Sequence, residues 1–206
     1  SNAIHQIDAV LESVEVAIEN TAWIVPHRLD SPSFMYAITE RLLKNNEFIY
    51  GSSIAFEPGY FGSEGHFFAP YSYRDENGEI KSKQLGSETY DYHYMDWYQI
   101  PKLLDRPYWS EPYYDDGGGD MIMTTYSKPL YDSNGKMYAM ITADLSLEWL
   151  TDLVGKIKAF DTSYNLMVSR NSSYIVNPNR DLILNETIFS STYGDKDESL
   201  KIMQND

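Results

Sequence analysis

The chain contains no cysteine. That excludes a disulfide scaffold, a thiolate zinc site and a cysteine nucleophile. It leaves the compartment open, because exported domains often manage without disulfides. Positive charge is scarce too: 16 Lys and Arg stand against 31 Asp and Glu in 206 residues, a formal net charge of −15. Nucleic-acid phosphates and anionic lipid surfaces would be repelled by such a surface rather than neutralised. No apolar run reaches the roughly 18 residues that a membrane-spanning helix needs. The four histidines, His5, His27, His66 and His93, are scattered without metal-ligand spacing. Gly117–Gly119 is not followed by the Lys-Ser/Thr of a phosphate loop. Asp115–Asp120 has carboxylates and glycines but lacks the alternating ligands and distal Glu of a calcium loop. It reads as a flexible loop, and neither a metal nor a cofactor is expected.

What is present is enough for a packed core. The composition is 42% hydrophobic and 15% aromatic, and the length suits one good-sized domain or one domain plus part of a second. Ser1-Asn2-Ala3 reads as a scar of tag removal, so the expected parent protein is longer. Ile4–Trp23 carries Ile4, Ile7, Val10, Leu11, Val14, Ala17 and Ile18 at helical spacing. A helix of about 20 residues would be roughly 30 Å long. Pro26, Ser31 and Pro32 end it, and Ser33 reads as the N-cap of a second helix over 34–45. Strands are expected over 48–56, 66–73 and 79–84, the last two joined by Asp75-Glu76-Asn77-Gly78. Ser87–Trp97 should run from extended chain into a short helix that stops before Pro101.

The densest information lies in Asp91–Leu150, which holds three of the four tryptophans. Thr124–Tyr131 and Met137–Asp144 flank Asp132–Lys136, where Asn134-Gly135 should supply the positive φ values of a hairpin. Leu147, Leu150, Leu153, Val154 and Ile157 then predict a helix. Beyond it, 164–168 and 173–176 read as strands, 178–181 as a turn and 198–203 as the start of a helix. Fewer than about 50 residues remain there, too few for a stable module by core burial alone. An aromatic segment feeding a hairpin whose last strand ends in a single Asp suggests the floor and wall of a small pocket.

Three pieces of this stretch carry a resemblance: Trp109–Asp115 (WSEPYYD), Thr124–Lys136 (TTYSKPLYDSNGK) and Ala143–Leu150 (ADLSLEWL). In order and spacing they resemble the extracytoplasmic double Cache, PAS-like sensor domains of bacterial transmembrane receptors such as histidine kinases, chemoreceptors and HAMP-linked phosphatases. The resemblance implies an α+β fold, with a long N-terminal helix packed on a central antiparallel PAS-like sheet. A ligand-binding membrane-distal module would span 4–160, and an incomplete membrane-proximal module would begin over 161–206. It further implies a membrane-anchored parent, a periplasmic location and a homodimer formed through the N-terminal helix.

One subfamily of these modules binds amino acids through a recognisable residue set. Tyr90 matches its first Tyr, Trp97 and Tyr98 its Trp-Tyr pair, Tyr113 the Tyr of its Glu-Pro-Tyr, and Asp144 its terminal Asp. The position of its carboxylate-binding Arg is Met95 here. A guanidinium is the natural bidentate partner of a carboxylate, and Met cannot replace it. The ammonium half is intact, with Asp144 as counter-charge and Trp97, Tyr98 and Tyr113 as a partial aromatic cage. Asp96 adds a second acidic candidate, and Tyr126 lies on the strand beside the pocket. The small-molecule ligand expected is therefore an amine or quaternary amine.

The rival readings are specific. The aromatics would serve as core residues with satisfied hydroxyls, and Asp144 or Ser146 would cap the following helix. The same sensor fold would instead bind an amino acid, a carboxylate or a sugar. Asp96, Glu111, Asp115, Asp116 and Asp144 offer the carboxylate pairs of a glycoside hydrolase, although no long cleft-building scaffold accompanies them, and a non-enzymatic sensor is the expectation.

Overall fold

The computed structural model describes residues 2–156, 164–193 and 195–203. They divide into two compact units, one of residues 1–110 with 114–146, the other of residues 111–113 with 147–206. The boundary expected at 160/161 falls outside the described residues, as does Ile157.

The first unit opens with α1 (Asn2–Ala22). Its buried stripe is Val14, Ala17, Ile18 and Ala22, while Ile4, Val16 and Trp23 are exposed. A 3₁₀ turn at Val25–Arg28, with Pro26 in its first positions, leads to α2 (Phe34–Asn45). Ser33 occupies the N-cap position but makes no capping bond, because its own backbone is already helical. The other end of α2 is better served. The Arg74 guanidinium donates to the carbonyls of Leu43 at 2.7 Å and Asn46 at 3.3 Å, filling acceptors the helix leaves open.

The sheet runs in the order β3-β2-β1-β7-β6-β4. Its strands are β1 (Gly51–Phe56), β2 (Pro70–Arg74), β3 (Ile80–Gln84), β4 (Tyr108–Trp109), β6 (Ile122–Tyr131) and β7 (Met137–Ser146), with β5 (Tyr113–Tyr114) as a further two-residue strand. The pairings along that order are antiparallel. Strand β1 is buried on both faces, which suits its central place. The two turns share one chemistry. Asp75 and Asp132 each accept backbone N–H groups from residues two and four places on, and Gly78 (φ 78°) and Gly135 (φ 76°) take the left-handed position. Asn77 and Asn134 keep negative φ. The turns are therefore type I turns with a glycine bulge, not the expected two-residue form with positive φ at both centres.

One helix differs from expectation in extent. α3 (Asp96–Leu104) passes through Pro101. As the sixth residue of the helix, Pro101 forgoes only the bond to the Trp97 carbonyl, and its own carbonyl accepts from Arg106. Burial of Trp97, Tyr98 and Pro101 on one face keeps the helix going.

One face of the sheet carries the main core. Ile54, Phe56, Tyr126, Ile141 and Ala143 pack with Val14 and Ile18 of α1 and with Met35, Ile38 and Leu43 of α2. Trp109 donates to Glu15 of α1 at 2.7 Å, and Lys128 pairs with Glu19 at 2.6 Å.

The second unit contains α4 (Leu147–Gly155), a short hairpin of β8 (Met167–Val168) and β9 (Tyr174–Val176), α5 (Ile188–Ser191) and α6 (Lys196–Met203). Thr187 and Ser190 form a reciprocal capping box on α5.

Two substitutions contrast the packing and capping arguments. Leu43→Ala removes a fully buried side chain and should lower the unfolding free energy by about 2–5 kcal/mol in urea titrations. Ser33→Ala should change it by less than about 0.5 kcal/mol.

Candidate functional site

The opposite face of the sheet is polar. Side chains directly across an antiparallel pair share a face, so strand register sorts them into rows. Tyr73, Gly51, Asp144 and Thr125 form one row, and Lys83, Tyr71, Ser53, Thr142 and Ser127 the next.

Asp144 is the charged centre of the first row and is buried. Its Oδ1 accepts from the Thr125 hydroxyl at 2.8 Å and its Oδ2 from the Tyr71 hydroxyl at 3.1 Å. Burial, with the nearby Asp115 charge second, raises its pKa to about 7 against the pull of those two donors. Asp144 caps no helix, since both oxygens are already engaged within the sheet. Position 51 has to be glycine for this packing to exist. A Cβ there would collide with the Tyr71 hydroxyl and lie 2.6 Å from the Asp144 carboxylate.

A second buried carboxylate stands nearby. Asp115 Oδ1 accepts from the Tyr90 hydroxyl at 2.6 Å, and Oδ2 accepts from the Gly119 N–H at 2.7 Å. Burial raises its pKa, which hydrogen bonds from Tyr90 and Gly119 and the Lys83 charge oppose. Tyr90 is pushed up by burial and by Asp115, with a hydrogen bond from Trp97 acting in the other direction. The 115–120 loop, expected to be a flexible rim, is tied down. Lys83 donates to the Gly118 carbonyl at 2.6 Å and Tyr50 to the Gly119 carbonyl at 3.1 Å. The Lys83 ammonium also lies 5.2 Å from the Tyr73 ring centre and 5.9 Å from that of Tyr71, and these two rings stack on each other.

Tyr90, Trp97 and Asp144 therefore share one neighbourhood. Other expected members lie elsewhere. Tyr98 is fully buried, but its hydroxyl donates to Glu57 at 2.6 Å, beside the Lys102–Glu57 ion pair at 2.7 Å. Gly51 pairs with Asp144 while Phe56 pairs with Ala139. Glu57 is thus roughly 20 Å along the strand from the Asp144 end, and Tyr98 is no wall of an Asp144 cage. Burial would raise the Glu57 pKa, but the bonds from Lys102 and Tyr98 win and the net shift is downward. Tyr126 faces the α1 side of the sheet. Its ring lies 5.2 Å from Trp109, and burial with Glu15 and Glu19 pushes its pKa to about 12. Period-two alternation allows no other outcome once Thr125 faces Asp144. Asp96 is exposed in the first turn of α3, where its charge favours the helix N-terminus. Tyr113 belongs to the second unit and is half-buried.

Tyr71, Thr125 and Lys83 are residues that sequence reasoning missed, and Asp115 entered it only as part of the 115–120 loop and as a carboxylate of the hydrolase rival. Tyr71 and Lys83 had a usable signal, since alternation from the Asp75–Gly78 turn puts both on one face. Among the described residues, no three His, Asp or Glu side chains converge as a metal-ligand set, and no helix is long and apolar enough to cross a membrane.

Residues 35–152 match the profile of the family described as methyl-accepting chemotaxis protein-like, first PDC sensor domain. Among solved structures, the extracellular domain of the inferred histidine kinase mmHK1S-Z3 is similar at 24% identity, over 97% of this chain and 73% of that one, with a TM-score of 0.75. The periplasmic sensory domain of the Campylobacter jejuni chemoreceptor Tlp1 is similar at 14% identity, over 92% and 73% of the two chains, with a TM-score of 0.71. The ligand-binding domain of the Pseudomonas fluorescens chemoreceptor CtaA, in complex with L-isoleucine, is similar at 16% identity, over 92% and 69%, with a TM-score of 0.64. At these identities the structures bear on the fold alone, and they share the Cache/PDC arrangement of helix and sheet. The profile match covers more than half of the sequence, and on that basis the chain belongs to the family of methyl-accepting chemotaxis protein-like sensor domains, as a first PDC module.

Proposed function

We propose that this chain is the extracytoplasmic sensing part of a membrane-anchored bacterial signalling receptor, and that its ligand is an amine or quaternary amine bound at Asp144. The observation that carries the reading is a buried carboxylate with acceptor capacity to spare. A carboxylate has about four lone-pair positions, and Thr125 and Tyr71 occupy two on Asp144. Asp115 adds a second acidic group, and the rings of Tyr71, Tyr73, Tyr90 and Trp97 supply aromatic surface. Such a set suits a cation, and each cation–π contact contributes roughly 0.5–2 kcal/mol. In this reading the chain senses and catalyses no reaction. Ligand binding shifts a population between two arrangements of sheet and helix. Ile4 and Val16, exposed on α1, support a homodimer along that helix. The second unit is the opening of a membrane-proximal module.

A second reading has its own observation. Lys83 places an ammonium beside the 115–120 loop, and a zwitterionic amino acid would use it for the carboxylate that Met95 cannot hold. CtaA was solved with L-isoleucine, and the Mlp24 ligand-binding domain with asparagine.

Thermal-shift and calorimetric screening decides between the two readings. Amines without a carboxylate should raise the melting temperature, by the equivalent of about 2.7 kcal/mol at 100 times the dissociation constant. Asp144→Asn should abolish that shift. Response confined to amino acids, and lost in Lys83→Ala, would favour the second reading. Response only to neutral or anionic metabolites would discard both.

The raised Asp144 pKa gives two pH signatures. A cation binds the ionised form, so amine affinity should weaken as pH falls below about 7, by up to about tenfold per pH unit, in calorimetry between pH 5 and 8. In the free protein the folded state holds the Asp144 proton more tightly than the unfolded state. Its contribution to stability therefore falls as pH rises from about 4 to about 7, by about 1.4 kcal/mol per unit of pKa difference. Asp144→Asn should flatten that part of the urea-unfolding profile.

A further inference from the structure

The row of side chains next to Asp144 contains hydroxyls that no described residue uses. Ser53 and Ser127 are each about 1% exposed, and neither hydroxyl has a hydrogen-bond partner among the described residues. Thr142 lies between them. It pairs with Ser127 across β6 and β7, and its Oγ1 accepts from the Ser53 N–H at 3.0 Å. By the register of the strands all three share the face of Asp144 and Tyr71. Ser52 also has an orphaned hydroxyl, but alternation turns it to the α2 side, where its cross-strand partner Ser72 bonds Thr39. Leaving a buried hydroxyl without a partner is costly. Two on one face, flanking a third in a strand row adjacent to a buried carboxylate, mark a surface built to receive a polar group.

Resting on the amine reading above, we propose that Ser53, Thr142 and Ser127 form a second subsite that takes a hydroxyl or carbonyl oxygen of the ligand, so that the sensor selects hydroxylated amines over plain alkylamines. The geometry sets the spacing. Ser53 is the diagonal neighbour of Asp144, roughly 7 Å away across adjacent strands. An ammonium on Asp144 then places a neutral oxygen two or three carbons distant over the row. Tyr71 reaches Asp144 across Gly51, so the span from ammonium to oxygen runs most directly towards Ser127, the other diagonal neighbour of Asp144, on β6. Serine hydroxyls both donate and accept, so they suit a ligand hydroxyl in either role. Amino alcohols are the chemical class that fits.

The test uses matched pairs measured by calorimetry on the whole chain: ethanolamine against ethylamine, and 3-aminopropanol against propylamine. The hydroxylated member should bind about 3- to 10-fold more tightly in each pair, the fold-change of one or two net hydrogen bonds. In Ser53→Ala and Ser127→Ala, each measured separately, that ratio should fall towards one. Melting temperatures of the ligand-free variants should hold or rise, because an unpartnered buried hydroxyl has been removed. A ratio of one in the unmutated protein, with ethylamine binding still dependent on Asp144, would overturn the second subsite and leave the amine reading intact. A ratio unchanged by both substitutions, with lowered stability, would assign the serines a purely structural role and equally overturn it. Absence of binding by all four amines would overturn the subsite and the amine reading together.

Discussion

A carboxylate held inside a sheet is the constraint around which this domain is arranged. Asp144 stands on a central strand, where burial alone would force it neutral. Two hydroxyls, from Tyr71 on β2 and Thr125 on β6, hold it from opposite sides. The Tyr71 contact requires β1 to pass between them with no side chain, which fixes glycine at position 51. Asp115 then adds a like charge nearby, countered by Lys83 and by the Tyr90 hydroxyl. Two buried carboxylates thus stand near each other with Lys83 as a nearby positive charge, the arrangement from which binding of a cation is proposed.

The same strands that carry this site also carry the helical core. Thr125 and Asp144 face the polar side, while their neighbours Tyr126 and Ala143 pack in the cluster beneath α1. A shift of β6 or β7 driven from one face is necessarily felt on the other, because a strand has no way to move one side chain without its successor. Glu15 and Glu19 of α1 are bonded to Trp109 and Lys128 next to those residues, so α1 is coupled to the strands by polar contacts as well as packing. At the opposite end of β1, Tyr92 and His93 are tied to the Phe56 carbonyl. The segment that leads into Trp97 and α3 is thereby anchored to the sheet independently of the site.

Much of the fold was legible because it follows from periodicity. The helix over 34–45 and the β6–β7 hairpin stand where their apolar spacing puts them. Both Asp-x-Asn-Gly turns were recognisable, although only glycine takes the left-handed position, because the Asp side chain builds a type I turn that needs no other. Pro101 misled because a buried face of Trp97 and Tyr98 outweighs one missing bond. In the site, Asp144 was singled out by its place in the hairpin's last strand and by the resemblance, and the structure buries it on the polar face of β7. Tyr98 and Tyr126 did not follow, since adjacency in sequence says nothing about which face a side chain chooses. Tyr98 goes to Glu57 and Tyr126 to α1. Asp115 was hidden for another reason: its role depends on a loop folding back so that its carboxylate meets both Tyr90 and Gly119, and no local pattern encodes that return.

The most direct test is the ionisation of Asp144 itself, followed by carboxyl-carbon NMR titration with and without a saturating simple amine. The expected midpoint lies near 7 in the free protein and moves down by more than one unit when the amine is bound. A midpoint near the ordinary aspartate value of about 3.9 in the free protein, unmoved by the amine, would contradict it.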